Sequence, residues 1–258
     1  LTGVEQLALI YRNSSNSNVY TYLGLGGTQA APTLNFTSQT GTASADTMAG
    51  SNYADTLTGG AGNDSYVVAQ SGDVTLETVD GGIDTVRSSI TWTLGENLEH
   101  LVLSGASNIR GYGNTLANTL SGNAGNNLLD GGLGADAMAG GTGNDTYYVD
   151  DTGDLIAELA EQGVDTVRSS ASRSLEANVE NLVLTGTAAI SGTGNALNNV
   201  LSGNAAANPE NYFSNFGHFC LRVKRCLRCW FEIFHRQKSF VDFTKCYRQW
   251  LLVYVSFN

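Results

Sequence analysis

Nine residues is the length that governs what this chain can fold into. From Gly113 to Tyr148 it divides into GNTLANTLS, GNAGNNLLD, GGLGADAMA and GGTGNDTYY. Each unit opens on glycine, holds Asn or Asp at its sixth place, and puts one large apolar residue at its eighth: Leu120, Leu129, Met138 and Tyr147. Glycines at the first, second and fourth places let the backbone take positive φ and wind tightly, where a Cβ would clash. Six residues of turn leave three for a strand, in which side chains alternate faces, so only the middle one points inward. A strand this short must reverse at every turn. Two units then make one coil of a flattened roll, and the same-side neighbour of any turn lies eighteen residues on.

Nonapeptides of the same phase begin at Gly41: GTASADTMA, GSNYADTLT and GGAGNDSYV. Their sixth places are Asp46, Asp55 and Asp64, and their inward places are Met48, Leu57 and Tyr66. Eighteen residues carry Asp46 to Asp64, Asp55 to Asp73, and Asp136 to Asp154, so each pair is expected to stack on one edge of the roll. The sixth places of the opening stretch are Asn118, Asn127, Asp136 and Asp145, which pairs Asn127 with Asp145 and Asn118 with Asp136. Asn offers a neutral oxygen, so turns built on it should hold a cation more weakly or pass as plain turns.

A longer repeat overlies the short one. GGAGNDSYVV from Gly59 returns as GGTGNDTYYV from Gly140, an offset of eighty-one residues. The same offset carries Asp84–Ser89 onto Asp165–Ser170 and Leu101–Leu103 onto Leu182–Leu184. Eighty-one is nine nines, so the short phase survives the intervening segments, and self-similarity at a fixed period marks a solenoid. Residues 68–112 and 149–193 read as short strands between Gly, Asn and Asp turns, expected to continue the roll with longer coils. Val86, Leu101 and Leu103 and their copies are expected in its core. Arg87, Arg168 and His100 are expected on strand surfaces, since a lone Arg seldom sits inside and His100 lacks catalytic partners.

One inward side chain per nine residues is a thin core to set against the backbone entropy of ordering them. Like charges stacked in successive turns repel and make matters worse. A hard divalent cation reverses both problems, because calcium takes six to eight oxygens and glycine-rich turns offer carboxylates and bare carbonyls.

The nonapeptide GGxGxDxUx is the signature of RTX (repeats-in-toxin, hemolysin-type) proteins, and the chain resembles a calcium-binding segment of that family. The resemblance implies an all-β fold, a parallel β-roll or β-solenoid, with Ca2+ as its cofactor. In the family the Asp at the sixth place and the carbonyls of the glycine-rich turn hold the ion. Carried onto this sequence, that implies Asp46, Asp55, Asp64, Asp136 and Asp145 as ligands, then Asp73 and Asp154. It also implies the turns at Gly60 and Gly62, Gly132 and Gly134, and Gly141 and Gly143. Any of these Asp could instead cap its own turn by accepting backbone N–H groups, above all Asp46, Asp55 and Asp73, whose turns lack the glycines. Family members are secreted through a type I secretion machinery, unfolded in the low-calcium cytoplasm and folded outside. Strongest binding is expected towards GGTGND, because acidic sixth places accumulate along Gly113–Tyr148.

Charge divides the chain. Of its 13 basic residues only Arg12, Arg87, Arg110, Arg168 and Arg173 precede residue 209, while the four cysteines all follow it. With 21 of the 24 acids, residues 1–208 carry 5 − 21 = −16 and the remainder 8 − 3 = +5. A body so poor in Lys and Arg does not suit nucleic acid. No apolar run reaches the ~20 residues of a membrane-spanning helix. The chain opens on Leu1 with no visible signal peptide and reads as a fragment.

Three segments follow. Residues 1–40 hold a partial upstream repeat, since Val4–Leu9 resembles Val179–Leu184, then an irregular stretch with a turn at Gly24–Gly27. Residues 41–208 form the roll, with long units at 59–139 and, in part, 140–208. Residues 209–258 break the pattern with a basic, aromatic, Cys-bearing tail unlike the further repeats and export signal usual in the family. That tail reads as an out-of-frame or misjoined translation, a helical or membrane-surface segment, or a metal site at Cys226 and Cys229. Zinc would want a second close ligand pair, which Cys220 and Cys246 do not supply.

With no HExxH, no GxSxG and one histidine before the tail, no catalytic residue is assigned, and the chain reads as a non-enzymatic module. The alternatives are an accessory repeat region of a larger secreted protease or lipase, or the rod of a surface adhesin.

Overall fold

Strands of two to four residues cannot pair with themselves, so the chain from residue 37 to 206 coils to bring each one beside the strand about eighteen residues away. The computed structural model describes residues 6–12, 18–24, 37–206, 219–223 and 251–255. It is an all-strand β-solenoid of about nine turns, with parallel sheets and no helix among the described residues. One sheet runs Thr47–Ala49, Ser65–Val68, Thr85–Ser88, His100–Leu103, Thr119–Ser121, Ala137–Ala139 and Leu155–Ile156. The alternate strands make the other side, from Trp92–Thr93 through Arg110–Tyr112, Leu128–Asp130, Thr146–Val149, Thr166–Ser169 and Asn181–Leu184 to Val200–Ser202. Thr37–Thr40, Thr56–Thr58 and Val74–Leu76 form a parallel ladder of their own at the N-terminal end.

The inward places of the nonapeptides are where the spacing put them. Met48, Leu57, Tyr66, Leu120, Leu129, Met138 and Tyr147 are at most 2% exposed, and belong to one continuous core. Register confirms the eighteen-residue step: Met48 pairs with Tyr66, Leu120 with Met138, and Leu129 with Tyr147. Val86, Leu101 and Leu103 and their copies Val167, Leu182 and Leu184 are buried, whereas Arg87 is exposed and His100 and Arg168 are half-buried on strands. The Arg168 guanidinium lies 5.6 Å over the Tyr148 ring.

The intervening segments do continue the roll, but not by longer coils throughout. Tyr66 pairs with Val86, Val86 with Leu101, and Leu101 with Leu120, steps of twenty, fifteen and nineteen residues. The same three steps recur from Tyr147 to Val167, Leu182 and Leu201. Tyr66 to Leu120 therefore spans fifty-four residues, three coils of eighteen, which is how the irregular coils hand the nonapeptide phase back intact. Where the roll narrows, glycine takes the inward place: a Cβ at Gly111 would stand 3.0 Å from Leu101 Cδ2 and 3.2 Å from Leu129 Cδ2. Because eighty-one residues is four and a half coils, a unit and its copy lie on opposite sides, Tyr66 in one sheet and Tyr147 in the other.

At the ends, Gln6–Arg12 pairs antiparallel with Asn18–Gly24, which pairs antiparallel with Thr37–Thr40. Of the basic tail, Phe219–Val223 runs parallel to Val200–Ser202 and antiparallel to Leu251–Val255. Most of the turn at Gly24–Gly27, and Cys226 and Cys229, lie outside the described residues.

Leu128 and Leu129 differ only in facing: Leu129 is fully buried, Leu128 half-buried on the outer side. Leu129→Ala is expected to destabilise the calcium-loaded protein by about 2–5 kcal/mol, and Leu128→Ala by less than about 1 kcal/mol. Denaturant unfolding of the two variants reads this, and equal losses would contradict the facing.

Candidate metal centre

The sixth residue of each turn stands just ahead of a strand and is buried. Asp46, Asp55, Asp64, Asp73, Asp136, Asp145 and Asp154 are each 6% exposed or less. Each of the later Asp in a stacked pair turns Oδ1 back along the roll to accept the N–H of the sixth residue one coil earlier. Asp46 donates to Asp64 at 2.7 Å, Asp55 to Asp73 at 3.1 Å, and Asp136 to Asp154 at 3.0 Å. Asn118 donates to Asp136 at 2.7 Å and Asn127 to Asp145 at 2.6 Å. All the stacked pairs expected from the spacing are thus in contact. The columns run on, from Asp64 to Asp84 (2.7 Å) and from Asp145 to Asp165 (2.8 Å). They end on glutamates: Asp84 N–H donates to Glu99 at 2.9 Å and Asp165 N–H to Glu180 at 2.8 Å.

The other carboxylate oxygen separates two kinds of turn. In turns without the paired glycines, it accepts N–H groups of its own turn. Thr42 N–H reaches Asp46 at 2.6 Å, and Ser51 N–H reaches Asp55. Ala69 and Gln70 reach Asp73 at 3.1 Å, and Asp150 and Asp151 reach Asp154 at 3.2 Å. Asn turns close in the same way, with Asn114 N–H on Asn118 and Asn123 N–H on Asn127, both at 2.7 Å. The Asn amides then donate across the coil, Asn118 to Leu98 O and Asn127 to Ile109 O at 3.0 Å, so these turns are satisfied without any ion.

Paired glycines undo that cap. In the GGxGxD turns the second residue is Gly60, Gly132 or Gly141, at φ of 101°, 82° and 91°; the fourth is Gly62, Gly134 or Gly143, also at positive φ. The Gly60 N–H goes to Glu77 at 2.9 Å, and that of Gly132 to Asp130 at 3.2 Å. Oδ2 of Asp64, Asp136 and Asp145 is left buried with no hydrogen-bond partner. The bare first glycines make room for it: a Cβ on Gly59, Gly131 or Gly140 would land on that same oxygen. A buried acceptor without a donor is costly, more so when charged.

Electrostatics point the same way. Burial pushes Asp64 above its ordinary value and Asp136 and Asp145 up to about 6, and neighbouring carboxylates add to the rise. Backbone N–H groups oppose it. No Lys or Arg answers these acids; the one ion pair among the described residues joins Arg173 to Glu176. Orphaned buried carboxylate oxygens beside bare glycine backbone fit a hard cation that prefers oxygen ligands.

The family profile of the RTX calcium-binding nonapeptide repeat, in four copies, matches residues 40–74 and 112–147. These stretches are RTX repeats. No curated protein and no solved structure matches the chain. RTX nonapeptide repeats bind Ca2+, and the acidic clusters of this roll are compatible with it. All three double-glycine turns, with the orphaned oxygens of Asp64, Asp136 and Asp145, fall inside the matched stretches. Eighteen-residue spacing missed Asp84 and Asp165, which continue the RTX columns after a step of twenty, and it missed Glu77 and Glu158 beside them. The eighty-one-residue offset relates both pairs and was the one signal available.

A carboxylate whose folded pKa is raised binds its proton more tightly in the fold than in the unfolded chain. Its contribution to the metal-free roll is complete below the ordinary 3.8 and is lost as pH rises through about 6. In metal-stripped buffer the melting temperature, followed by circular dichroism, is therefore expected to fall between about pH 4 and pH 6. Saturating calcium should remove most of that dependence, because the ion replaces the proton. A metal-free melting temperature that climbs over the same window would contradict the assignment.

Proposed function

We propose that calcium drives this chain from a disordered, export-competent state to the folded roll, and that the double-glycine turns hold the ions. Asp64, Asp136 and Asp145 supply the anionic oxygen. Carbonyls freed by Gly60 and Gly62, Gly132 and Gly134, and Gly141 and Gly143 complete the shell. Asp46, Asp55, Asp73 and Asp154, each already engaged with backbone N–H groups, contribute remaining lone pairs from the flanking turns. The supporting observation is the orphaned, buried Oδ2 in the turns with paired glycines. A proton would also quiet such an oxygen, but near neutral pH it is scarce. The cation also offsets the repulsion between stacked acids, which a core of one side chain per nine residues cannot do.

In this reading the protein is secreted through a type I secretion machinery: low cytoplasmic calcium leaves the repeats unfolded for passage, and extracellular calcium folds them on exit. The region then serves as the folding and spacing module of whatever protein carries it.

Above the pH at which these acids lose their protons, near neutrality, circular dichroism of the full chain is expected to show little β structure in chelator and a cooperative gain at millimolar calcium. Superimposable spectra would sink the proposal. Asp145→Ala removes a charged ligand worth about 1.5–3 kcal/mol, which raises the calcium midpoint roughly tenfold or more. Asn118→Ala, from a turn already satisfied by hydrogen bonds, should move it far less. Equal shifts would argue against ligation at the double-glycine turns.

A further inference from the structure

Each long unit ends its run of nonapeptides with a feature the repeat does not contain. Eighteen residues beyond Gly59, where another turn would open on glycine, stands Glu77; eighteen beyond Gly140 stands Glu158. The turn that follows is two residues longer, so the next acid is Asp84 or Asp165 after a step of twenty from Asp64 or Asp145. Glu77 folds back beneath the preceding turn and accepts the Gly60 N–H at 2.9 Å. Glu158 accepts the Tyr147 hydroxyl, which itself accepts the Gly140 N–H at 2.6 Å.

The result is two triads of carboxylates, Asp64–Glu77–Asp84 and Asp145–Glu158–Asp165. In each, one oxygen from every member lies within 4.8 Å of the others. Five of the six residues are more than nine-tenths buried; Glu77 is half-buried. Asp64 Oδ2, Asp84 Oδ2, Glu77 Oε2, Asp145 Oδ2 and Glu158 Oε2 have no hydrogen-bond partner. No cationic side chain ion-pairs with either triad. Three acids gathered so closely, with at least two of them holding a buried oxygen without a partner, need a positive charge between them.

We propose that the last double-glycine turn of each long unit is a capped divalent-cation site, in which Glu77 or Glu158 joins that turn's own Asp64 or Asp145 and the next coil's Asp84 or Asp165 around one ion. The glutamate does what the next glycine turn would otherwise do: it seals the last double-glycine turn where the nonapeptides give way to irregular coils. Three anionic oxygens in one cluster make this the tightest class of site in the chain, since affinity for calcium follows ligand charge. Burial, with Asp84 adding to it, pushes Glu77 up to about 7, and burial pushes Glu158 up to about 7 as well, in keeping with acids that lack a counter-charge. The half-coil offset sets the two sites on opposite sides of the roll. The inference rests on calcium being the ion of the neighbouring turns, but not on calcium driving the folding.

The test is calorimetric titration of the full chain with calcium, using Glu77→Gln, Glu158→Gln and the double variant. Glu161→Gln, an exposed acid in the same turn as Glu158, is the control. Wild type is expected to take up two ions at least tenfold more tightly than the rest. Each single variant should lose one of them, the double variant both, and the control neither. The weaker phase, and β structure at saturating calcium, should persist in the single variants. A single-variant titration superimposable on wild type would overturn the proposal, as would an equal loss in the control. So would loss of the weaker phase with the tight ions retained, which would assign the glutamates to the fold alone. Should wild type take up its two tight ions with no change in circular dichroism, the capping sites stand and the calcium-driven folding fails.

Discussion

The roll depends on the contact between one acid and the amide of the coil before it. A carboxylate oxygen accepts the N–H of the equivalent residue one coil back, and the strand that follows is thereby set in register. That contact leaves a second oxygen to be dealt with, and the chain deals with it in three ways. An ordinary turn bends its own N–H groups onto it, as at Asp46 and Asp154. An Asn removes the charge and turns a donor across the coil, as at Asn118. A double-glycine turn withdraws its N–H and leaves the oxygen bare, as at Asp136. The third leaves a buried acceptor without a donor, which the fold does not satisfy by itself.

This gives the glycines a more specific part than flexibility. At Gly60 the positive φ turns away an amide that would otherwise neutralise Asp64, and the absent side chain of Gly59 clears the space that oxygen occupies. Substituting the pair would not merely stiffen the turn. It would let the turn's own N–H groups reach the carboxylate, as they already do in the GTASAD and GSNYAD turns.

Much of this was legible beforehand. The nine-residue phase places Leu129 inside and Leu128 outside, and the eighteen-residue step pairs Asp46 with Asp64 and Asn127 with Asp145, because both follow from local backbone geometry repeated without error. The glycine content also ranks Asp64 and Asp145 above Asp46 and Asp55. What escaped is where the period slips. Asp84 and Asp165 sit twenty residues on, and a count of eighteen passes over them. The coils of twenty, fifteen and nineteen residues look like uniformly longer coils until their pairing is known. Glu77 and Glu158 carry no local mark at all, since their place beneath the previous turn is a matter of packing between coils.

An interval of four and a half coils also keeps the two carboxylate triads apart. Asp64, Glu77 and Asp84 gather on one side of the rod and Asp145, Glu158 and Asp165 on the other, so their like charges do not stack in one column. A rod built on a whole number of coils would bring every such cluster to the same side.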